Sequence, residues 1–129
     1  MTRIGFTVGV WDLLHKGHTN FFDACYNYCN YLIVGIMNDY WVRVQKGHSG
    51  RPVQSLQLRV EKLRSIQKIN KIVVLDTLDM TQYLQMVDVW IKGKEQKNMR
   101  PEDFANCIYI DRTPEISTTE IINKAETQT

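Results

Sequence analysis

The stretch RIGFTVGVWDLLHKGH, residues 3–18, joins an apolar strand pattern to an abrupt polar turn. Its apolar side chains alternate at Ile4, Phe6, Val8 and Val10, a period of two that predicts a β-strand. Immediately afterwards the chain places an aspartate, a glycine and two histidines within a few residues. Polar residues that follow a buried strand directly are typical of the ligand-binding edge of an α/β sheet.

The same alternation of strand and helix patterns continues along the chain. Strand patterns occupy residues 3–10, 31–37, 71–76, 88–93 and 107–111. Helical patterns occupy about 17–29, 55–68 and 80–87, a short stretch near 101–106, and a last stretch that begins near Ser117. Strands that alternate with helices indicate βαβ units. The sequence therefore predicts one α/β domain over residues 1–129, with a Rossmann-like, open, mostly parallel five-stranded sheet and helices on both faces.

Composition excludes several classes of protein. The 129 residues carry 16 basic and 14 acidic side chains, a balance that argues against a dedicated nucleic-acid binder. No apolar run resembles a secretion signal or is long enough to span a membrane. The three cysteines, Cys25, Cys29 and Cys107, are odd in number and lack metal-finger spacing, so we expect reduced, packing cysteines in a cytoplasmic protein.

The turn after the first strand has the features of a phosphate site. Its residues, from Asp12 onward, fall where a helix begins, and helix N-termini attract anions. His15 and His18, three residues apart, are expected on one face of that helix, and Gly17 allows a ligand to approach the backbone. Two alternatives stay open on spacing alone: solvated loop histidines without a function, and half of a metal site.

A second anion-binding pattern follows the last strand. The stretch DRTPEISTTE, residues 111–120, contains Arg112, a bidentate phosphate donor, and hydroxyl side chains at a helix start. A capping box formed by Ser117 and Glu120 would explain part of this pattern without any ligand. It leaves the arginine and the paired threonines unexplained, and both interpretations are compatible.

The two patterns together resemble a known family. GVWDLLHKGH, residues 9–18, resembles the HxGH signature of the small nucleotidyltransferases. RTPEISTT, residues 112–119, resembles the RTxGISTT signature of their cytidylyltransferase branch. The order, separation and chain length are similar to those of the glycerol-3-phosphate cytidylyltransferases along nearly the whole sequence.

This resemblance implies a reaction. CMP would pass from CTP to a small phosphorylated acceptor, with glycerol 3-phosphate the first expectation, and pyrophosphate would leave. The alternative is a heptose- or other sugar-phosphate nucleotidyltransferase that uses CTP or ATP. A nucleotide-binding regulatory module without turnover is a third possibility, which leaves the histidines and Arg112 unexplained.

The resemblance also implies roles for individual residues. Catalytic roles are expected for His15, His18 and Lys46. Nucleotide contacts are expected for Gly9, Val10, Trp11, Asp12, Gly17, Gly93, Glu95, Arg112, Thr113, Ile116, Ser117 and Thr118. Acceptor contacts are expected for Arg59 and Arg51. Mg²⁺ is expected with the nucleoside triphosphate rather than in a metal site of the protein, and the chain is expected to form a cytoplasmic homodimer without nucleic-acid or membrane partners.

Two stretches depart from the glycerol-3-phosphate pattern. Residues 93–96 read GKEQ where that branch carries a run resembling GDDW, and the preceding IKG is closer to the heptose branch. Glu115 stands where a glycine is usual. The segment VQKGHSGRPVQ, residues 44–54, is similar to the KGxxRP loop of the wider family and supplies Lys46 and Arg51.

Overall fold

The computed structural model of the protein describes residues 1–40, 42, 52–76, 81–93 and 106–110. Its strands are β1 (Ile4–Gly9), β2 (Tyr31–Met37), β3 (Lys71–Leu75), β4 (Val89–Gly93) and β5 (Cys107–Ile110). The helices with defined bounds are α1 (Lys16–Cys25), α2 (Leu56–Arg64) and the short α3 (Thr81–Leu84). All five predicted strands are confirmed, whereas the helices predicted near 101–106 and from Ser117 lie outside the described residues.

The strands form one parallel sheet in the order β3-β2-β1-β4-β5. The chain moves outward from β1 to β2 and β3, and then returns to the other side of β1 for β4. In open α/β sheets, ligands bind outside the carboxyl ends of the strands at the point where the strand order reverses. That point lies between β1 and β4, so the residues that follow these two strands face the expected binding crevice. The predicted fold class is confirmed.

Apolar side chains bury both faces of the sheet, as the nearly continuous hydrophobic strands predict. The first face packs against α1 and α2 and includes Phe22, Cys25, Leu32, Val34, Ile36, Leu63, Val89 and Ile91. The second face includes Phe6, Val8, Ile33, Leu75 and Trp90, with Tyr83 and Leu84 of α3 packed against it. Consequently β1, the central strand, is covered on both sides and holds its carboxyl end in a fixed position.

All three helices with defined bounds end earlier than the apolar pattern predicts, and the turns after α1 and α2 show why. After Cys25 the next backbone N–H groups bond three residues back, as in the 3.2 Å bond from Tyr26 to Asp23, so a tight turn replaces the predicted end of α1. At the end of α2 the Ser65 hydroxyl donates to the Lys62 carbonyl at 2.7 Å. Serine side chains compete in this way for helix carbonyls and favour helix termination.

The cysteines behave as packing residues. Cys25, Cys29 and Cys107 are free, and the first two are buried. Burial raises the pKa of the Cys25 thiol far above its ordinary value, and the nearby Cys29 adds to that rise. A thiol held protonated in this way is a poor nucleophile and a poor metal ligand. Separately, no helix among the described residues combines the length and apolar character needed to cross a membrane.

Gly5 of β1 provides a test of how closely Cys29, in the segment after α1, packs on the sheet. A β-carbon at this position would lie 2.8 Å from Cys29 Sγ and 2.9 Å from Cys29 Cβ. We therefore expect Gly5→Ala to lower the free energy of unfolding by about 1–3 kcal/mol, the usual cost of overpacking. Urea denaturation measures this loss.

The control is a double-mutant cycle with Cys29→Ala, which removes the nearer of the two atoms. If the overlap causes the loss, the double variant should be less destabilised than the sum of the single variants, by a coupling energy of about 0.5–3 kcal/mol. Strict additivity would show that the two sites do not meet.

Candidate active site

The turn between β1 and α1 has an unusual backbone. Trp11 and Leu13 both adopt left-handed conformations, with φ of 56° and 52°. This region is costly for residues with a β-carbon, of order 1–3 kcal/mol each, and persists only where the surrounding structure fixes it. At Trp11 the conformation turns the indole into the core, where Nε1 donates to the Gly35 carbonyl at 2.8 Å.

Trp11 also explains the glycine before the turn. A β-carbon on Gly9 would lie 3.0 Å from the Trp11 ring, so only glycine leaves room for the indole. The ring packs 4.9 Å from Phe22 and 5.9 Å from His18, centroid to centroid. Because the Trp11 side chain is buried, any contact that Trp11 makes with a nucleotide would use its main chain. The nucleotide contacts of Gly9 and Trp11 remain predictions.

Asp12 is a buried carboxylate that holds the neighbouring segment of the chain. Its Oδ2 accepts from the Val53 N–H at 2.6 Å, and its Oδ1 accepts from the Gln54 N–H at 2.9 Å. Hydrogen bonds of backbone groups to an ionised carboxylate are worth about 1.5–3 kcal/mol. Only 1% of Asp12 is exposed, so its structural role is to connect the turn to the residues before α2.

His15 and His18 come together at the start of α1, as their spacing predicts. Their ring centroids are 4.1 Å apart. His15 is the N-cap, and its Nδ1 accepts from the Gly17 N–H at 2.9 Å. In return, Nδ1 of His18 accepts from the His15 N–H at 3.1 Å. The two imidazoles therefore form a capping box, a role usually filled by Ser or Thr with Glu or Gln.

This capping box fixes the tautomer of both rings. A ring nitrogen that accepts a hydrogen bond carries no proton, so a neutral imidazole with Nδ1 as acceptor is protonated at Nε2. Both histidines are thereby prepared as Nε2–H donors without a positive charge. The Gly17 N–H, which could have met a ligand directly, is used by the cap instead, and the rings take over as donors at this helix start.

Arg59 lies fully buried in α2, where sequence analysis expects an acceptor contact. Its Nη1 donates to the Val10 carbonyl at 2.7 Å and to the Met37 carbonyl at 2.8 Å. The guanidinium also donates from Nε to Gln54 O at 3.1 Å and from Nη2 to Asp39 at 2.5 Å. Four of its five N–H groups are thus occupied by the protein, and Arg59 joins the carboxyl ends of β1 and β2. The acceptor contact stays an untested prediction.

Lys92 is a charged residue of this region to which sequence analysis assigns no role. It precedes Gly93, the last residue of β4, and only 1% of it is exposed. Its Nζ lies 4.2 Å from the centroid of the Trp90 ring, within cation–π distance. The sequence does contain a signal for Lys92, because a lysine within an apolar strand pattern must be buried. Buried charges are costly and rare, so such a lysine is a candidate functional residue.

A metal site is not apparent in the part of the chain that the structure describes. No three His, Cys, Asp or Glu side chains there are grouped to hold a metal ion. The carboxylates nearest the turn serve the protein itself, Asp12 for backbone N–H groups and Asp39 for Arg59. Several predicted site residues lie outside the described residues: Lys46, Arg51, Glu95, Arg112, Thr113, Ile116, Ser117 and Thr118.

Comparison with known families decides the class of protein. The profile of the family described as cytidylyltransferase-like matches residues 6–124. The chain belongs to the cytidylyltransferase-like family. The match contains β2 to β5, the larger part of β1 and the histidine turn, so the predicted nucleotidyltransferase class is confirmed.

Curated relatives extend this family assignment. The chain is 32% identical to the bifunctional protein HldE of Rhodopseudomonas palustris strain HaA2, over 95% of its own length. It is 38% identical to the HldE protein of Bradyrhizobium diazoefficiens over 57% of its length. The chain spans about a quarter of the first of these proteins, 27%, and 15% of the second.

Solved structures agree on the fold. A lipopolysaccharide core biosynthesis protein from Thermoplasma volcanium superimposes with a TM-score of 0.71 at 17% identity, covering 87% of this chain and 98% of that one. A bifunctional NMN adenylyltransferase/ADP-ribose pyrophosphatase from Francisella tularensis superimposes with a TM-score of 0.64 at 14% identity, covering all of this chain and 43% of that one. These identities establish a shared fold and no more.

The structural role of Arg59 can be tested by measuring the free energy of unfolding. Arg59→Met would leave three backbone carbonyls, of which that of Met37 is buried, without their donor, so we expect a loss of at least about 1–3 kcal/mol in the free energy of unfolding. Arg64→Met is the matched control, because Arg64 lies on the same helix and is exposed. The control should stay within about 0.5 kcal/mol of wild type. Stability equal to wild type in Arg59→Met, measured by urea unfolding, would contradict the structural role.

Proposed function

We propose that this protein transfers a nucleotidyl group from a nucleoside triphosphate to the phosphate of a sugar or polyol phosphate, releasing pyrophosphate. The observation that supports this most directly is the histidine pair, held as two neutral Nε2–H donors at the carboxyl end of the central strand. Directional donors at that position suit the non-bridging oxygens of a phosphate. The family match supports the class of reaction independently.

The chemistry requires positioning rather than a protein nucleophile. An oxygen of the acceptor phosphate attacks the α-phosphorus, the new P–O bond forms, and the bond from the α-phosphorus to the bridging oxygen of pyrophosphate breaks. Charge develops on the phosphoryl oxygens during this in-line exchange. In the proposal, His15 and His18 donate their Nε2–H groups to these oxygens. A fixed donor of this kind contributes about 10²–10³ in rate, by analogy with an oxyanion hole.

Neutral donors leave most of the triphosphate charge uncompensated. We assign that compensation to Lys46 and Arg112, with Ser117 and Thr118 as further phosphate contacts, all from the resemblance. Mg²⁺ would arrive bound to the triphosphate, in keeping with carboxylates at the turn that already serve the protein. A bound Mg²⁺ supplies electrostatic stabilisation of the phosphate oxygens.

The acceptor phosphate is assigned to the neighbourhood of Lys92. Three features of Lys92 support this: its positive charge, its burial, and its place on the strand beside β1 at the reversal of strand order. Arg51 is a further candidate from the resemblance. Arg59 would act mainly through the backbone that it holds, because most of its donors are occupied.

Two pairs of substrates compete within this proposal. A heptose-type sugar phosphate with ATP is favoured by the IKG stretch at the end of β4 and by the similarity to the HldE proteins along nearly the whole chain. Glycerol 3-phosphate with CTP is favoured by the RTPEISTT stretch. We rank the heptose-type acceptor first because its support extends over 95% of the chain rather than over one motif. Free cysteines support a reducing, cytoplasmic compartment, and the homodimer stays a prediction.

The two functions of each histidine, capping and donation, can be separated by mutation. An asparagine Oδ1 occupies the place of Nδ1 and can accept the capping N–H, but it offers no donor at the Nε2 position. We expect His15→Asn and His18→Asn to retain the melting temperature of wild type and to lose about 10²–10³-fold in turnover. His15→Ala should lose both turnover and about 1 kcal/mol of stability, because it also removes the cap. Full activity in a folded asparagine variant would contradict the catalytic role.

Substrate choice can be settled by pyrophosphate release. Purified protein would be incubated with Mg²⁺ and either ATP or CTP against a panel of heptose, hexose and polyol phosphates. We expect the highest kcat/KM with ATP and a heptose phosphate, and Lys92→Met should raise the KM for the acceptor more than the KM for the nucleotide. A higher kcat/KM for CTP with glycerol 3-phosphate would reverse the ranking. Nucleotide binding without pyrophosphate release from any pair would instead indicate a regulatory module.

A further inference from the structure

Gln54 makes three hydrogen bonds, two of which link the segment before α2 to the histidine turn. Its N–H donates to Asp12 Oδ1 at 2.9 Å, and its carbonyl accepts from Arg59 Nε at 3.1 Å. Its side-chain Oε1 accepts from the backbone N–H of Leu13 at 3.1 Å. The first two bonds use the main chain of Gln54, which any residue could supply. The third depends on the identity of the side chain.

Leu13 is the residue in this turn whose backbone most needs such support. It has a φ of 52° and precedes His15 by two residues. Trp11, the other left-handed residue, is held by its indole in the core, and Asp12 is held by the bonds of its carboxylate. Leu13 is held by the hydrogen bond from its N–H to Gln54 Oε1. Loss of this bond would allow Leu13 to relax towards an ordinary conformation and would shift the direction in which the chain enters α1.

We propose that Gln54 is a positioning residue for nucleotidyl transfer: its side-chain oxygen fixes the Leu13 backbone and thereby the placement of the two imidazoles. This inference rests on the proposed function for its catalytic consequence. The Gln54 side chain bonds to the backbone of Leu13. It acts through the geometry of the turn, because the N–H of His15, which follows this turn, makes the hydrogen bond that orients His18.

The side chain of Gln54 is a better target than its partners for testing this linkage. Asp12 and Arg59 are almost fully buried and each holds several backbone groups, so their loss threatens the fold. Gln54 is half-buried, and its side chain contributes a single hydrogen bond to the turn. Replacement by methionine keeps the length and removes the acceptor. The folded state should therefore survive while the turn loses its restraint.

Three variants test the proposal: Gln54→Met, Gln54→Glu and Gln57→Met. Glutamate keeps an oxygen at the Oε1 position and should preserve the bond to Leu13. Gln57 is an exposed residue of α2, so its replacement by methionine controls for the chemical change alone. The measurements are the melting temperature, amide hydrogen exchange at Leu13, the imidazole signals of both histidines in ¹⁵N NMR spectra, and kcat and KM from pyrophosphate release.

In Gln54→Met we expect faster exchange at Leu13, shifted imidazole signals, and a fall in kcat on the order of 10- to 100-fold, the usual cost of small misplacement. KM for both substrates should stay close to wild type in Gln54→Met. Gln54→Glu should keep the slow exchange at Leu13, and the Gln57→Met control should resemble wild type in every measurement. Unshifted imidazole signals or a normal kcat in Gln54→Met, or exchange at Leu13 as fast in Gln54→Glu as in Gln54→Met, would overturn the proposal. If wild-type protein releases no pyrophosphate, the proposed function fails, while exchange and NMR still decide whether Gln54 positions the histidines.

Discussion

At the carboxyl end of this parallel sheet, two backbone carbonyls receive their hydrogen bonds from one guanidinium. Arg59 donates to the carbonyl of Val10, which follows β1, and to the carbonyl of Met37, at the end of β2. A buried carbonyl without a donor costs about 1–3 kcal/mol, so the sheet edge depends on this contact. The planar fork of arginine suits it, since one nitrogen can bond two carbonyls while the others bond Gln54 and Asp39.

The fixed strand end allows the turn beyond it to keep a costly backbone. Trp11 and Leu13 retain positive φ because core packing and hydrogen bonds outweigh their local preference. The result is a helix start at which two imidazoles cap each other and remain neutral. Neutral Nε2–H donors can orient a phosphate through hydrogen bonds, but they add no positive charge. In the proposed reaction the compensating charge must therefore come from side chains elsewhere, which is why we assign it to Lys46 and Arg112.

Much of the fold could be predicted because it depends on patterns of single side chains. Apolar runs marked every strand, and the polar turn after β1 marked the expected binding edge. The roles of Asp12 and Arg59 could not be predicted in the same way. Most of their partners are backbone groups about 20 to 50 residues away, and backbone groups carry no signature in a sequence. The sequence motif predicts ligand contacts for both residues, which stay predictions, whereas the hydrogen bonds that both make to the protein become visible only in the structure.

The histidine turn indicates the class of reaction but does not identify the substrates. In the proposed reaction the turn contacts phosphates, and phosphates are common to all nucleoside triphosphates and to all phosphorylated acceptors. The identity of the base and of the acceptor must be recognised by other residues. Among the described residues, the end of β4 is the part of the crevice with distinctive chemistry, where Trp90 and Lys92 combine an aromatic surface with a buried charge. We expect variation there to change the substrate while Arg59 and the turn stay in place, because the hydrogen bonds described above for Arg59, Leu13 and Asp12 join the ends of β1 and β2 to α2 and the residues before it.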